Sequence, residues 1–435
     1  MAWGVLRLVL QLLPAALGDA GGEVDEEVRG AMSTFCPHLD EIPDMFTTFW
    51  QRLHSAVLQL EREFALDAQA PGYEIRALCV QLAFLRSIVK GQAGLPFPQA
   101  VNSCPTLMAI YFEWASGLAE RAHQPRRARA LMQLGAPLQL MALSRAMMRP
   151  GESKQVKDTQ STVSTQYAEK LQKLKGTAPP SVPWLRSKPG SRISRVAVRS
   201  LCDANYQGGN LENGTFNVTE KNHRSYAEKW GYDYEMLFRS PLSDQEPQFG
   251  KLQVAIDLLG SDDPPDYFFW LDCDALVTNR SISLEDLLET YQLHAAHFVV
   301  AEEVSGINSG IFLVKGGAER HGLRFLRAAM TSDWRFVWDQ TMLLDQMARD
   351  SDLYADDMCY QWRTTGASHD FDWAPHFGVV PQQALNLYGQ GSALQWGASA
   401  WQRGDFILHL AGCPLVELPC LQAFEEIAQW VEESH

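Results

Sequence analysis

The feature that most constrains this chain is a five-residue apolar run, Tyr267 to Leu271, that breaks off into two carboxylates one residue apart, Asp272 and Asp274. A continuous apolar run this short, bounded by Pro265 and by acids, reads as a buried strand. Side chains two apart on a strand face the same way, and at a strand end the chain can turn both carboxylates toward one cation. In open α/β sheets, ligands gather beyond the carboxyl ends of the strands. The tip of this strand is therefore the place to look for chemistry.

The surrounding sequence alternates strand and helix signals. Ile193 to Leu201 holds a candidate first strand, Glu220 to Trp230 reads as a helix closed by Gly231, and Leu252 to Leu259 is an apolar helical stretch. Ile311 to Val314 and Phe406 to Leu408 are further short buried strands. Such alternation predicts an α/β layered domain over 193–435. Gly306 to Gly310 puts an amide and several small residues before a strand, a turn that lets backbone approach a ligand closely.

The first half of the chain is different. Residues 1–20 carry one Arg in an apolar stretch that ends in small residues, which predicts a secretory signal peptide. The stretch falls short of the ~20 apolar residues of a spanning helix. From 23 to 150 apolar residues recur at helical spacing: Met45 to Phe64, Tyr73 to Val89, and a run opened by Pro105. These predict a small all-α domain of unassigned role. Residues 151–192 hold eight Lys and Arg against three Asp and Glu, with many Pro and Gly, and read as a basic, solvated linker. Overall the chain carries 52 acids against 37 bases, a formal charge of −15, which excludes a general nucleic-acid binder. Membrane contact is expected only through the N-terminus or the basic linker.

Sequons at Asn213, Asn217 and Asn279 suit a glycosylated secreted chain, the first two in an exposed loop. The eight cysteines form no C-x-x-C pair, which argues against a structural zinc site. In an oxidising lumen some pair, but spacing does not say which. Cys273, between the two acids, is expected to pack away from the site.

Five motifs occur in order: N-x-x-x-Y with a later G-Y (Asn222, Tyr226, Gly231, Tyr232), W-L-D-x-D-A (270–275), N-S-G-x-F-L (308–313), D-Q (Asp339, Gln340) and H-x-x-G-C (409–413). Their order and spacing over about 195–413 resemble the family of fungal α-1,2-galactosyltransferases, α-1,6-mannosyltransferases and plant xyloglucan xylosyltransferases. That resemblance implies a GT-A fold, a Rossmann-like nucleotide half joined to an acceptor half around one mixed sheet. It further implies a retaining enzyme that uses Mn²⁺, a UDP- or GDP-sugar donor and a glycan acceptor in the Golgi or ER lumen, with secretion as an alternative fate. By motif, Asp272, Asp274 and His409 correspond to the metal site, and Asp272 also to the diphosphate site. Asn308 and Gly310 match the turn facing the donor sugar, and Lys251, Asn222 and Tyr226 match the nucleotide half. Asp339 and Gln340 match the acid–amide pair near the anomeric carbon. The chain departs from the family in having Trp338 where a further acid often stands, and in lacking the lysine that plant members place after the final cysteine.

Two other readings stay open on sequence alone. A haloacid-dehalogenase-like phosphatase also uses a strand followed by D-x-D, although there the motif opens the domain and Gly-Thr follows. An inactive nucleotide- or glycan-binding member, with a partner-binding helical domain, is the other.

Overall fold

The structure is a computed structural model that describes residues 105–121, 124–135, 182–186, 193, 195–203, 215–242, 247–303, 306–331, 339–351, 373–389, 400–411 and 418–434. The chain divides into two compact units, one of 1–177 with 352–372 and one of 178–351 with 373–435. The expected signal peptide, the helical runs at 45–64 and 73–89, and Asn213 lie outside the described residues.

In the first unit, α1 (Pro105–Arg121) is the helix expected from Pro105. It faces α2 (125–135), and the Ser116 hydroxyl donates to the Ala128 carbonyl at 2.7 Å. Phe112, Leu118 and Leu131 are buried between them and their surroundings.

The second unit runs β1 (Val196–Leu201), α3 (Thr215–Trp230), β2 (Asp233–Leu237), α4 (Pro247–Leu259), β3 (Tyr267–Leu271), β4 (Ala275–Val277), α5 (Leu284–Thr290), β5 (Phe298–Glu303), β6 (Gly306–Lys315), α6 (His321–Met330), α7 (Asp339–Asp350), β7 (Phe377–Val380), α8 (Gln382–Leu385), β8 (Leu387–Tyr388), β9 (Ile407–His409) and α9 (Leu418–Ser434). Six strands form one sheet in the order β2-β1-β3-β6-β5-β7, and three form a second in the order β4-β9-β8. In the large sheet β1 is parallel to β2 and β3, while β6 runs antiparallel to β3 and β5, so the sheet is mixed as expected. Every residue of β1, β3 and β5 is buried, which is why β3 reads as a continuous apolar run, while β1 and β5 also bury Arg199, Ser200, Glu302 and Glu303.

Several expected boundaries move. β3 spans the apolar run from end to end. β6 is longer than expected and absorbs Gly306 to Gly310, so the small-residue segment is strand rather than a turn before it. α3 begins at Thr215, which places Asn217 on an exposed helical position rather than in a loop. Gly231 closes α3 with φ of 71°, a left-handed conformation that glycine adopts without a Cβ clash. Near the end of the basic linker two side chains meet the second unit's core. Trp184 stands edge-on to Tyr291 and Phe406, and Arg186 pairs with buried Asp286 at 2.8 Å.

Candidate active site

The D-x-D segment is the hinge between the two sheets. β3 of the large sheet ends at Leu271, and β4 of the small sheet starts at Ala275, leaving Asp272, Cys273 and Asp274 in the turn between. Asp272 N donates to Gly310 O at 2.8 Å, which extends the β3–β6 ladder to the first acid. Leu410 N donates to Asp274 O at 2.9 Å, which ties the second acid to β9.

Three side chains on one face of α3 grip the same segment. The Thr219 hydroxyl donates to Cys273 O at 2.8 Å. Asn222 donates to Val277 O at 3.1 Å and accepts from Val277 N at 2.8 Å. His223 Nε2 lies 2.9 Å from Ala275 O and its Nδ1 lies 2.8 Å from the Ser200 hydroxyl. Positions three and four apart share a helix face, so the spacing of 219, 222 and 223 is what makes this grip possible. Burial pushes the His223 imidazole down to about 4, with its bond to Ala275 O opposing, so the ring stays neutral and donates through Nε2.

A disulfide adds a covalent tie. Cys202 bonds Cys273, 71 residues apart in sequence. The pairing follows from register: Arg199 of β1 lies opposite Trp270 of β3, and three residues further along each parallel strand stand the two cysteines. Cys273 thus does not simply pack away from the site; it anchors the turn that holds both acids.

His409 completes a cluster. It ends β9 opposite Ala275, and the ligand atoms of Asp272, Asp274 and His409 all lie within 4.8 Å of one another. His409 Nε2 is 3.1 Å from Asp274 Oδ1, and Nδ1 is 2.7 Å from Asn386 Oδ1. A proton on Nδ1, donated to Asn386, leaves Nε2 to face the two acids, donating to Asp274 when protonated and offering its lone pair to a cation when not. Two carboxylates and one such imidazole fit a borderline-hard divalent cation such as Mn²⁺. Gly310 makes room for the ring: a Cβ there would overlap His409 Cε1 and stand 2.9 Å from both His409 Nδ1 and Asn308 Oδ1.

Behind the cluster lies a buried cation. Lys251, expected in the nucleotide half, is only 5% exposed. Its ammonium reaches from α4 to Asp272 at 3.3 Å, Asp339 at 2.9 Å and Ser309 O at 3.1 Å. The Ser309 hydroxyl donates to the same Asp339 oxygen at 2.5 Å, and the Trp270 indole donates to Asp272 at 2.6 Å. Burial opposes the Lys251 charge, but Asp272 and Asp339 outweigh it and raise its pKa. Burial raises Asp272, with Asp274 adding and Lys251 opposing. Burial also pushes Asp274 up, but His409 overcomes it and holds the carboxyl below its ordinary value. The reciprocal effect raises His409 against burial.

Of the residues singled out from sequence, Asp272, Asp274, His409, Lys251, Gly310 and Asp339 therefore come together. Gln340 follows Asp339 on α7 and is half-buried. Three receive other work. Asn222 has both amide atoms on the Val277 backbone, and Tyr226 packs with Tyr232 and Phe406 in the core, so neither presents a polar group to a nucleotide. Asn308 donates to the Tyr388 hydroxyl at 2.6 Å and accepts from Gly310 N at 2.7 Å; Tyr388 in turn donates to Glu303. These bonds tie its amide to the shape of β6. Sequence reasoning missed Asn386, Ser309, Tyr388 and Cys202. Only Ser309, between two singled-out residues, stood near a signal.

Comparison with known proteins agrees with the motif order. Residues 195–296 match the galactosyl transferase GMA12/MNN10 family. An uncharacterized alpha-1,2-galactosyltransferase of Schizosaccharomyces pombe is 23% identical over 248 residues, covering 49% of this chain and 60% of that protein. An alpha-1,2-galactosyltransferase of the same organism is 25% identical over 248 residues, covering 48% of this chain and 59% of that protein. The chain thus spans about 60% of the length of these curated relatives. Among solved structures, a glycosyltransferase involved in glycosylation of the major capsid of PBCV-1 is similar with a TM-score of 0.35 and 14% identity, over 55% of this chain and 99% of that one. The galactosyltransferase LgtC, in complex with donor and acceptor sugar analogs, is similar with a TM-score of 0.29 and 11% identity, over 54% and 95%. The resemblance to a fungal galactosyltransferase-type family, expected from five motifs, is borne out by these matches.

Proposed function

We propose that this chain is a retaining, Mn²⁺-dependent glycosyltransferase that moves a galactosyl, mannosyl or xylosyl group from a nucleotide diphosphate sugar to a glycan acceptor. The observation that carries the reading is the convergence of Asp272, Asp274 and His409 beyond the carboxyl end of β3, with Lys251 and Asp339 directly behind. The family match and the galactosyltransferase relatives support the reaction class.

Asp272, Asp274 and His409 hold the cation, and Asn386 keeps the imidazole lone pair pointed at it. When bound, the cation neutralises charge that grows on the departing diphosphate. Lys251 stays protonated beside Asp272 and offsets the negative charge of the two acids, which otherwise repel a phosphate. Asp339 acts through Lys251, holding the ammonium in place with Ser309. Gln340, on the next position of α7, supplies an amide dipole toward the electron-poor sugar carbon. Gly310 and the Asn308–Tyr388–Glu303 chain fix the backbone that borders the site.

The site belongs in the secretory lumen. The Cys202–Cys273 bridge is a bond that persists in an oxidising compartment. No helix among the described residues is long and apolar enough to cross a membrane.

The test is a thermal-shift screen of UDP- and GDP-sugars with and without Mn²⁺, followed by donor hydrolysis and transfer assays on the sugars that stabilise. Stabilisation that needs both nucleotide and cation, with nucleoside diphosphate released, is expected. Mg²⁺-dependent release of phosphate from a small phosphoester, with no response to any nucleotide-sugar, would overturn the reading in favour of a phosphatase. Cation-dependent nucleotide binding with no turnover of any donor would leave an inactive binding protein.

A further inference from the structure

At the far end of β6 from the D-x-D turn lies a second cluster. β6 runs from Gly310 beside Asp272 to Lys315 beside Tyr267, five steps or roughly 17 Å along the strand. His297 immediately precedes β5, and Lys315 N donates to its carbonyl at 2.9 Å. Beyond Lys315 the chain turns through Gly317 and Arg320, both with left-handed backbone, and enters α6 at His321. That turn brings Glu319 and His321 back to His297. The imidazoles of His297 and His321 stack with centroids 4.5 Å apart and planes 9° from parallel. Glu319 Oε2 is 3.2 Å from His321 Nε2, and one ligand atom each of His297, Glu319 and His321 lies within 4.8 Å of the others.

We propose that His297, Glu319 and His321 form a second metal site, distinct from the D-x-D cluster and suited to a borderline transition cation of the zinc class. Two imidazoles and one carboxylate make a softer donor set than two carboxylates and one imidazole, so the two clusters sort cations by chemistry: oxygen-seeking Mn²⁺ at one, Zn²⁺ or Co²⁺ at the other. The 3.2 Å separation of the Glu319 and His321 donor atoms already suits two ligands of one tetrahedral ion, whose bonds to nitrogen and oxygen are about 2.0–2.2 Å. His297 stacks parallel to His321, so it joins the same ion by turning its ring out of the stack, which its half-exposed position permits.

The groups around the cluster allow this. Burial first, then His321, His376 and Lys315, hold His297 below its ordinary value. The Lys315 ammonium is turned away, donating to His294 O at 2.7 Å. His376 flanks His297 with ring centroids 5.9 Å apart. Arg324 donates to His321 Nδ1 at 2.6 Å, which puts the ring proton on Nε2, facing Glu319. Metal entry at Nε2 moves that proton to Nδ1 and releases Arg324, an exposed side chain one turn along α6, into solvent. The bound ion then clamps the start of α6, whose N-cap Arg320 makes no side-chain cap bond, to the start of β5.

The experiment titrates the full chain with Zn²⁺ by calorimetry and with Co²⁺ by its visible absorption. It compares wild type, His297→Ala, His321→Ala, the double variant and Asp274→Asn. Loss of an outer-shell partner alone costs about 10–100-fold in metal affinity, so removal of a ligand costs at least that. One class of Zn²⁺ and Co²⁺ sites is expected to weaken at least tenfold in each histidine variant and to vanish in the double variant, while persisting in Asp274→Asn. The histidines are at the surface, so circular dichroism of these variants is expected to match wild type. Unchanged Zn²⁺ stoichiometry and affinity in the folded double variant would overturn the proposal, as would loss of the same class in Asp274→Asn. The readout is metal binding at residues outside the proposed active site, so it stands or falls separately from the transfer reaction.

Discussion

Lys251 on α4 and Asp339 at the start of α7 form a buried ion pair at 2.9 Å, and the same ammonium touches Asp272 of the D-x-D turn. Removing one member of a buried pair leaves an uncompensated charge, at a cost of about 3–5 kcal/mol. Lys251→Met is therefore expected to lower unfolding stability by that order, and Lys251→Met with Asp339→Asn to recover a large part of it. Urea unfolding of the three chains measures this. A Lys251→Met chain as stable as wild type would show that the pair contributes nothing.

Gly310→Ala tests the close approach of β6 to β9. The added methyl meets the His409 ring and the Asn308 side-chain oxygen Oδ1. Overpacking of this kind costs about 1–3 kcal/mol. The imidazole, displaced from Asp274, is expected to lose Mn²⁺ affinity out of proportion to the loss of stability. Calorimetric Mn²⁺ titration beside a melting curve separates the two effects; equal metal affinity in a folded Gly310→Ala chain contradicts the arrangement.

Alanine at Asp272 or Asp274 is expected to abolish transfer and metal-dependent nucleotide binding. His409→Ala is expected to weaken Mn²⁺ far more than it affects folding. Asn386→Ala, which removes the acceptor that orients the ring, is expected to cost about 10–100-fold in Mn²⁺ affinity. Mn²⁺ titrations on the four variants check the set, and wild-type transfer in either aspartate variant would end the assignment.

The parts of this fold that are legible in the sequence are those that local pattern determines. Tyr267 to Leu271 must be a strand because five consecutive apolar residues between Pro265 and two acids have few other homes. The stop at Gly231 is legible because a left-handed residue there needs glycine. The amide contacts of Asn222 and Asn308 are not legible, because a motif position names a residue without saying which of its atoms neighbouring backbone takes. Asn386 and Tyr388 left no trace: they act on His409 and Asn308, 23 and 80 residues away, and nothing local marks them. Cys202 became legible only through the register of two parallel strands.

His223 makes stability depend on pH. Its folded value of about 4 lies below the ordinary value of 6.5, so between those limits the unfolded chain binds a proton that the folded chain does not. Stability then rises with pH across that window, is fully present above 6.5, and is lost as pH falls through 4, a total of about 3 kcal/mol. His223→Gln keeps an amide near Ala275 O but cannot titrate. Its urea midpoint is expected to fall less steeply than that of wild type between pH 6.5 and 4.5; parallel slopes would show that the ring contributes no linkage.

The Cys202–Cys273 bridge closes a loop of 71 residues, for which chain entropy gives about 4 kcal/mol. Cys202→Ala with Cys273→Ala is expected to lose stability of that order and to weaken Mn²⁺ binding, because the turn that carries both acids loses an anchor. Unfolding and Mn²⁺ titration with and without reductant check it. Wild type is expected to lose more stability in reductant than the double variant, which already lacks this bridge; equal losses would show that the bridge contributes nothing.

Strand β9 has one more consequence. Asp274 meets His409 only across 135 residues of chain, and β4 has no partner until β9 arrives. While the polypeptide is still emerging from the ribosome, the acids wait without their imidazole through nearly a third of the molecule's length. The half-made chain therefore lacks the third member of the Asp272–Asp274–His409 cluster until β9 has been made.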